Sequence, residues 1–111
     1  MIKTDADNQL LCPSCGAEWV HTDIVYVSAR HEDGSFNEIS VNGVTGQVVT
    51  NRPEPGPVGP TQNEGRRHRM AVTGWCEHCP GRFALVFTQH KGVTFVETVS
   101  AGDRSVQGDP V

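Results

Sequence analysis

All four cysteines of this chain lie in two Cys-x-x-Cys pairs, a spacing suited to binding a metal ion. The first pair is Cys12 and Cys15, and the second is Cys76 and Cys79. Two intervening residues allow a tight turn to direct both sulfurs at one ion, and two such turns complete a tetrahedron of thiolates. The spacing therefore predicts one site for a single structural Zn²⁺.

A filled tetrahedron argues against catalysis, because a catalytic zinc keeps one position open for water or substrate. The rest of the sequence shows no nucleophile-base motif, phosphate-binding loop or second metal cluster. We therefore expect a non-enzymatic protein with no catalytic residues and no small-molecule substrate.

Other uses of these residues remain open. Two disulfides or a redox-active Cys-x-x-Cys would need a secretory context or a thioredoxin-like setting. Iron bound as in rubredoxin suits a Cys-x-x-Cys-Gly turn, although that family has a shorter spacing and a denser aromatic core.

His21, His78 and His90 could be ligands by position. Four thiolates already fill the tetrahedron, which favours surface or core roles for these histidines.

Strand-like segments must position the two pairs. Residues 18–30 follow the first pair and are rich in Val, Ile, Tyr and Trp, whereas residues 66–75 lead into the second pair. Residues 82–90 and 93–99 alternate on either side of Lys91-Gly92, which predicts a final hairpin. In that hairpin we expect Phe87 opposite Val96 and Thr88 opposite Phe95.

Two turn signals, Asp33-Gly34 and Asn42-Gly43, predict a three-stranded meander over about residues 18–50, because both pairs tolerate the positive φ of a two-residue turn. In that register Val41 lies opposite both Tyr26 and Val44.

Residues 51–65 contain four prolines and three glycines, which predicts an exposed proline-rich loop. A plain spacer is the simplest interpretation, although an extended polyproline conformation could also bind a partner.

Two Cys-x-x-Cys turns carried on hairpins resemble the zinc ribbon family, on the four cysteines and Gly16, over about residues 8–31 and 66–99. The resemblance implies a mainly β fold of antiparallel hairpins with little or no helix. The 60 residues between Cys15 and Cys76 exceed what a minimal ribbon needs. We interpret the meander and the proline-rich loop as an insertion within one domain, residues 1–99, followed by a flexible tail at 100–111.

Composition agrees with a metal-stabilised domain. With 111 residues, of which 36% are hydrophobic, the chain can build only a thin core. Structural zinc can add roughly 10 kcal/mol to folding. The polar N-terminal segment lacks the apolar run of a secretory signal, and no stretch approaches the length of a membrane helix. We expect a cytoplasmic location, where thiols stay reduced, and no membrane association.

Charge is uneven along the chain, which has a formal net charge of -4. Residues 66–91 carry five basic residues against Glu77 alone, a local net charge of +4. Zinc ribbons commonly bind nucleic acid, and clustered Arg and Lys on a strand suit phosphate contacts. The candidate nucleic-acid-binding residues are Arg66, Arg67, Arg69, Arg82 and Lys91.

The alternative is a protein-binding adaptor, because an acidic chain repels polyanions at long range and exposed strand edges can pair with a partner. In size and acidity the chain is similar to phage-encoded or bacterial proteins that act on host machinery. The sequence does not indicate an oligomeric state.

Overall fold

Six antiparallel strands form one sheet in the computed structural model, which describes residues 2–30, 35–57, 68–90 and 92–103. The order across the sheet is β3-β2-β1-β4-β5-β6. The mainly β prediction is confirmed, and the described residues contain no helix. None of them therefore forms a helix that could cross a membrane. The strands are β1 (Val20–Arg30), β2 (Phe36–Asn42), β3 (Val48–Val49), β4 (Arg69–Cys76), β5 (Gly81–His90) and β6 (Val93–Asp103).

Strand β1 joins the predicted meander to the final hairpins. It pairs with β2 on one side and with β4 on the other, so both parts belong to one continuous sheet. The β1–β4 ladder is interrupted between Thr22 and Val25, where a bulge places Asp23 in the interior. A bulge leaves a residue without a ladder partner and can redirect its side chain.

The predicted register between β1 and β2 is wrong by one residue. Val25, not Tyr26, lies opposite Val41, and Tyr26 lies opposite Ser40. Arg30 pairs with Phe36, so the connection is longer than a two-residue turn at Asp33-Gly34. Because side chains alternate along a strand, this shift places Val25 rather than Tyr26 on the same face of the sheet as Val41.

The predicted two-residue turn at Asn42-Gly43 is also wrong, since Val41 pairs with Val48 and residues 43–46 form the connection. The Asn42 side chain explains the longer loop. Its Oδ1 accepts hydrogen bonds from the amides of Val44 and Thr45, at 2.9 and 3.1 Å. An Asn side chain that binds amides further along the chain imposes its own turn.

The final hairpin has the predicted register. Phe87 pairs with Val96 and Thr88 pairs with Phe95, on either side of a turn in which Gly92 has φ +81°. Strand β6 continues to Asp103 and so includes the first four residues of the predicted tail.

The two faces of the sheet differ in their coverage. On one face, the buried side chains of Ala71, Ala84 and Val86 pack with Tyr26 and Val99. The start of the proline-rich loop contacts this face, where Gly56 lies against the Tyr26 side chain. Residues 58–65 of that loop lie outside the described residues. The opposite face carries rows of apolar side chains, most of them partly exposed.

Candidate metal centre

Two separate parts of the chain bring the four thiols together. Cys12 and Cys15 lie in the turn before β1, whereas Cys76 ends β4 and Cys79 lies in the β4–β5 connection. Their four sulfurs all lie within 4.8 Å of one another. The group could therefore hold one metal ion, as the spacing predicted.

The closest sulfur separations fit a tetrahedral site. Cys12 Sγ lies 3.7 Å from Cys79 Sγ, and Cys15 Sγ lies 3.6 Å from Cys76 Sγ. A tetrahedron with metal–sulfur bonds of about 2.3 Å has edges of about 3.8 Å. A disulfide would require about 2.05 Å, and all four cysteines are free. The donor set and its spacing therefore suit a metal ion such as zinc.

Backbone amides donate hydrogen bonds to sulfurs of both pairs. The amides of Ser14 and Cys15 donate to Cys12 Sγ at 3.4 and 3.5 Å, and the His78 amide donates to Cys76 Sγ at 3.3 Å. Such donors stabilise negative charge on a thiolate and orient it toward a metal. Both turns thus present sulfurs suited to bind as anions.

The first turn depends on Gly16. Its amide donates to the Cys12 carbonyl at 2.9 Å, and the Cys12 amide donates to the Ala17 carbonyl at 2.9 Å. Gly16 has φ +77°, a conformation that costs glycine little because it lacks Cβ. The turn therefore reverses the chain immediately after Cys15.

The environment separates the acidities of the thiols. Burial acts to raise the pKa of Cys12, but the amides of Cys15 and Ser14 and the neighbouring thiols lower it to about 7. The Gly81 amide acts to lower the pKa of Cys79, but burial and hydrogen bonds with the other thiols raise it to about 12. Without a cation, the four sulfurs together therefore carry little negative charge. A bound divalent ion would displace the protons that remain on them.

The start of β1 connects the two turns. Val20 pairs with Cys76, and the Glu77 amide donates to the Trp19 carbonyl at 3.1 Å. His21 stacks on Trp75 with ring centroids 4.3 Å apart, and its Nε2 lies 2.5 Å from the Glu77 carboxylate. These contacts hold β1 against the second turn.

The described histidines lie outside the sulfur cluster. Among the residues that the structure describes, the potential ligand group contains only the four cysteines. His21 instead contacts Glu77, and the His78 residue is exposed. The side chain of His90 lies outside the described part of the structure.

Two of the predicted nucleic-acid-binding residues lie within the protein. Arg69 is 6% exposed and donates to Ser28 Oγ at 3.0 Å. Arg82 donates to the buried Asp23 carboxylate at 2.8 Å, and the Arg82 side chain is 10% exposed. Arg66, Arg67 and Lys91 lie outside the described residues. The structure therefore does not bring the five residues together on a described surface.

Sequence reasoning missed Asp23, which links three strands. Its Oδ1 accepts from the Ile24 amide and from Thr73 Oγ1, while its Oδ2 accepts from Arg82. The available signal was an acidic residue inside a Val- and Ile-rich strand, which is unusual unless a partner compensates its charge.

Comparison of the chain with protein-family models, curated proteins and solved structures gave no match. The cysteine cluster and the antiparallel hairpins are consistent with a zinc ribbon.

Proposed function

We propose that this protein is a non-enzymatic zinc-binding module in which one Zn²⁺ fastens the turn before β1 to the β4–β5 connection. The observation that carries the proposal is the spacing of the four sulfurs, whose closest separations of 3.6 and 3.7 Å match tetrahedral edges. Zinc suits four thiolates because its filled d shell imposes no competing geometry.

The role proposed for the ion is structural. Four cysteines complete its coordination, so no position is open to activate water or polarise a substrate. The ion would cross-link residues far apart in the sequence, since Cys12 and Cys79 are 67 positions apart. The proposal includes a reducing compartment such as the cytoplasm, where thiols stay available for metal.

Metal analysis of protein purified without chelator tests this proposal. We expect about one zinc per chain, with Cys76→Ser losing the metal and unfolding or aggregating. Ser14→Ala is the matched control, because Ser14 lies in the first turn but contributes only its backbone amide to Cys12 Sγ. The control should retain zinc. A stable wild-type protein without metal, or one containing iron, would contradict the proposal.

A protein-binding role is the second candidate, and the apolar face of the sheet favours it. The face carries two rows of apolar side chains across neighbouring strands. Met70 and Val96 are 45% and 43% exposed. A contiguous exposed apolar surface is typical of protein interaction sites. The first row is Val41, Val25, Val72 and the buried Leu85, and the second is Ile39, Val27, Met70, Phe87 and Val96.

Charge substitutions on this face test the second candidate. We expect a protein partner to be retained by the wild type after nuclease treatment and lost by Met70→Lys, since a lysine there would be buried by the partner. Val44→Lys is the control, because Val44 is 60% exposed but lies in the β2–β3 connection. Equal retention of the partner by both variants would exclude this face as its binding surface.

A further inference from the structure

A cavity of about 410 Å³ lies between the sheet and the proline-rich loop. Tyr26 and Thr73 line it from β1 and β4, and residues 55–57 line it from the loop. Gly56 lies so close to the Tyr26 side chain that an added Cβ would be 2.7 Å from Tyr26 Cβ. The loop therefore forms a wall of a cavity whose volume is within the usual range for small-molecule sites.

Arg52 is the residue that gives this cavity its chemistry. Its guanidinium lies 4.8 Å from the centroid of the Tyr26 ring, a cation-π contact. Its Nη1 is buried and has no hydrogen-bond partner in the described part of the chain. A buried charged donor without an acceptor carries a desolvation cost, which an oxyanion paired with the same guanidinium would reduce.

The second arginine of the cavity is already paired. Arg82 donates to Asp23 Oδ2, while Asp23 Oδ1 accepts from the Ile24 amide and from Thr73 Oγ1. The charged side chains that line the described cavity are thus two cations, one of them neutralised by Asp23. The remaining positive charge is that of Arg52, which makes the cavity favourable for a ligand carrying one negative group.

We propose that this cavity binds a small organic anion whose carboxylate or phosphate pairs with Arg52 and whose body packs between Tyr26 and the loop residues Pro55 and Pro57. A guanidinium matches either oxyanion because its parallel N–H groups can donate to two oxygens. Pro55 and Pro57 provide apolar walls for the rest of the ligand. The inference uses residues outside the cysteine cluster and does not depend on zinc as the bound metal.

Titration of the metal-loaded protein with benzoate, phenyl phosphate and neutral benzyl alcohol, followed by amide NMR at low ionic strength, tests this inference. We expect both anions to shift the signals of Gly56 and Thr73 with millimolar affinity, and benzyl alcohol to bind at least about tenfold more weakly. Tighter binding of phenyl phosphate identifies a phosphate ester as the ligand class, and tighter binding of benzoate identifies a carboxylate. Equal binding of the neutral compound, or no shift with either anion, would overturn the proposal.

Substitutions of Arg52 separate charge recognition from cavity shape. Arg52→Gln should weaken anion binding about tenfold or more, and Arg52→Lys should be intermediate because it keeps the charge but loses the paired donors. Arg30→Gln is the control, since Arg30 is exposed at the end of β1 and does not line the cavity. Unchanged anion affinity in Arg52→Gln would refute the assignment. If that variant fails to fold, the comparison of anions with benzyl alcohol in the wild type still decides the outcome.

Discussion

The Asp23–Arg82 ion pair provides a sharp test of how β1 is fixed to β5. Both side chains are nearly or fully buried, at 1% and 10% exposure. The change Asp23→Asn keeps the side-chain shape but removes the negative charge opposite Arg82. Loss of one partner from a buried pair costs about 3–5 kcal/mol, because the other charge stays desolvated.

Urea unfolding of the zinc-loaded protein measures this cost. With a denaturant slope of roughly 1–3 kcal/mol/M, the loss lowers the midpoint by about 1–5 M, a large change for a small domain. Asp7→Asn is the matched control, because Asp7 is exposed and the same substitution should change the unfolding free energy by at most about 0.5 kcal/mol.

A double variant distinguishes charge burial from loss of packing. Adding Arg82→Met to Asp23→Asn removes the unpaired cation and should recover a substantial part of the lost stability. A cost of Asp23→Asn no greater than that of the Asp7→Asn control would show that the pair does not stabilise the sheet. A double variant as unstable as the two single losses combined would show that the unpaired charge is not the cause.

Three further predictions concern acidity, packing and partners. Metal binding should release about one proton fewer at pH 8 than at pH 6, because the pKa of Cys12 is lowered to about 7 and its thiol is already ionised at pH 8. Calorimetry in buffers of different ionisation enthalpy measures the number of protons released, and the same number at both pH values would contradict this prediction. Gly74→Ala should lower the free energy of unfolding in urea by about 1–3 kcal/mol, since the added Cβ would lie 2.7 Å from both the His21 carbonyl oxygen and Phe83 Cζ. Gly81→Ala is the control and should be far better tolerated, because the nearest atom to its Cβ is 3.6 Å away. Equal losses of stability in the two variants would exclude this packing. If nucleic acid is a partner, joint replacement of Arg66 and Arg67 by Ala should weaken salt-dependent binding in an anisotropy titration, and absence of wild-type binding at low salt would exclude that role.

The extent to which the sequence predicted the structure varied with the range of the signal. The cysteine spacing predicted the sulfur cluster because two short turns define the ligand positions locally. The hairpin at Gly92 was predicted in register because alternation on both sides of a tight turn leaves one good pairing. Local patterns of this kind need no knowledge of distant residues.

Features that depend on side-chain hydrogen bonds or on distant contacts were not predictable in the same way. Asn42 lengthens its turn through its own Oδ1, which a dipeptide signal does not reveal. The burial of Arg69 depends on Ser28, 41 positions away. The cavity arises only when the proline-rich loop folds back on Tyr26. Two arginines of the basic segment, Arg69 and Arg82, are therefore enclosed by contacts that the local sequence does not reveal.

X-ray absorption at the zinc edge is the most direct test of the central claim, which is that four cysteine sulfurs surround one structural zinc. Measured on protein purified without chelator, the first shell should contain four sulfurs at about 2.3 Å and no nitrogen or oxygen. A nitrogen or oxygen in the shell would mean that a histidine, water or carboxylate binds zinc in place of a cysteine. The ion would then have a coordination position not filled by cysteine, which a purely structural role excludes. That result, or the absence of zinc from a folded protein, would contradict the account.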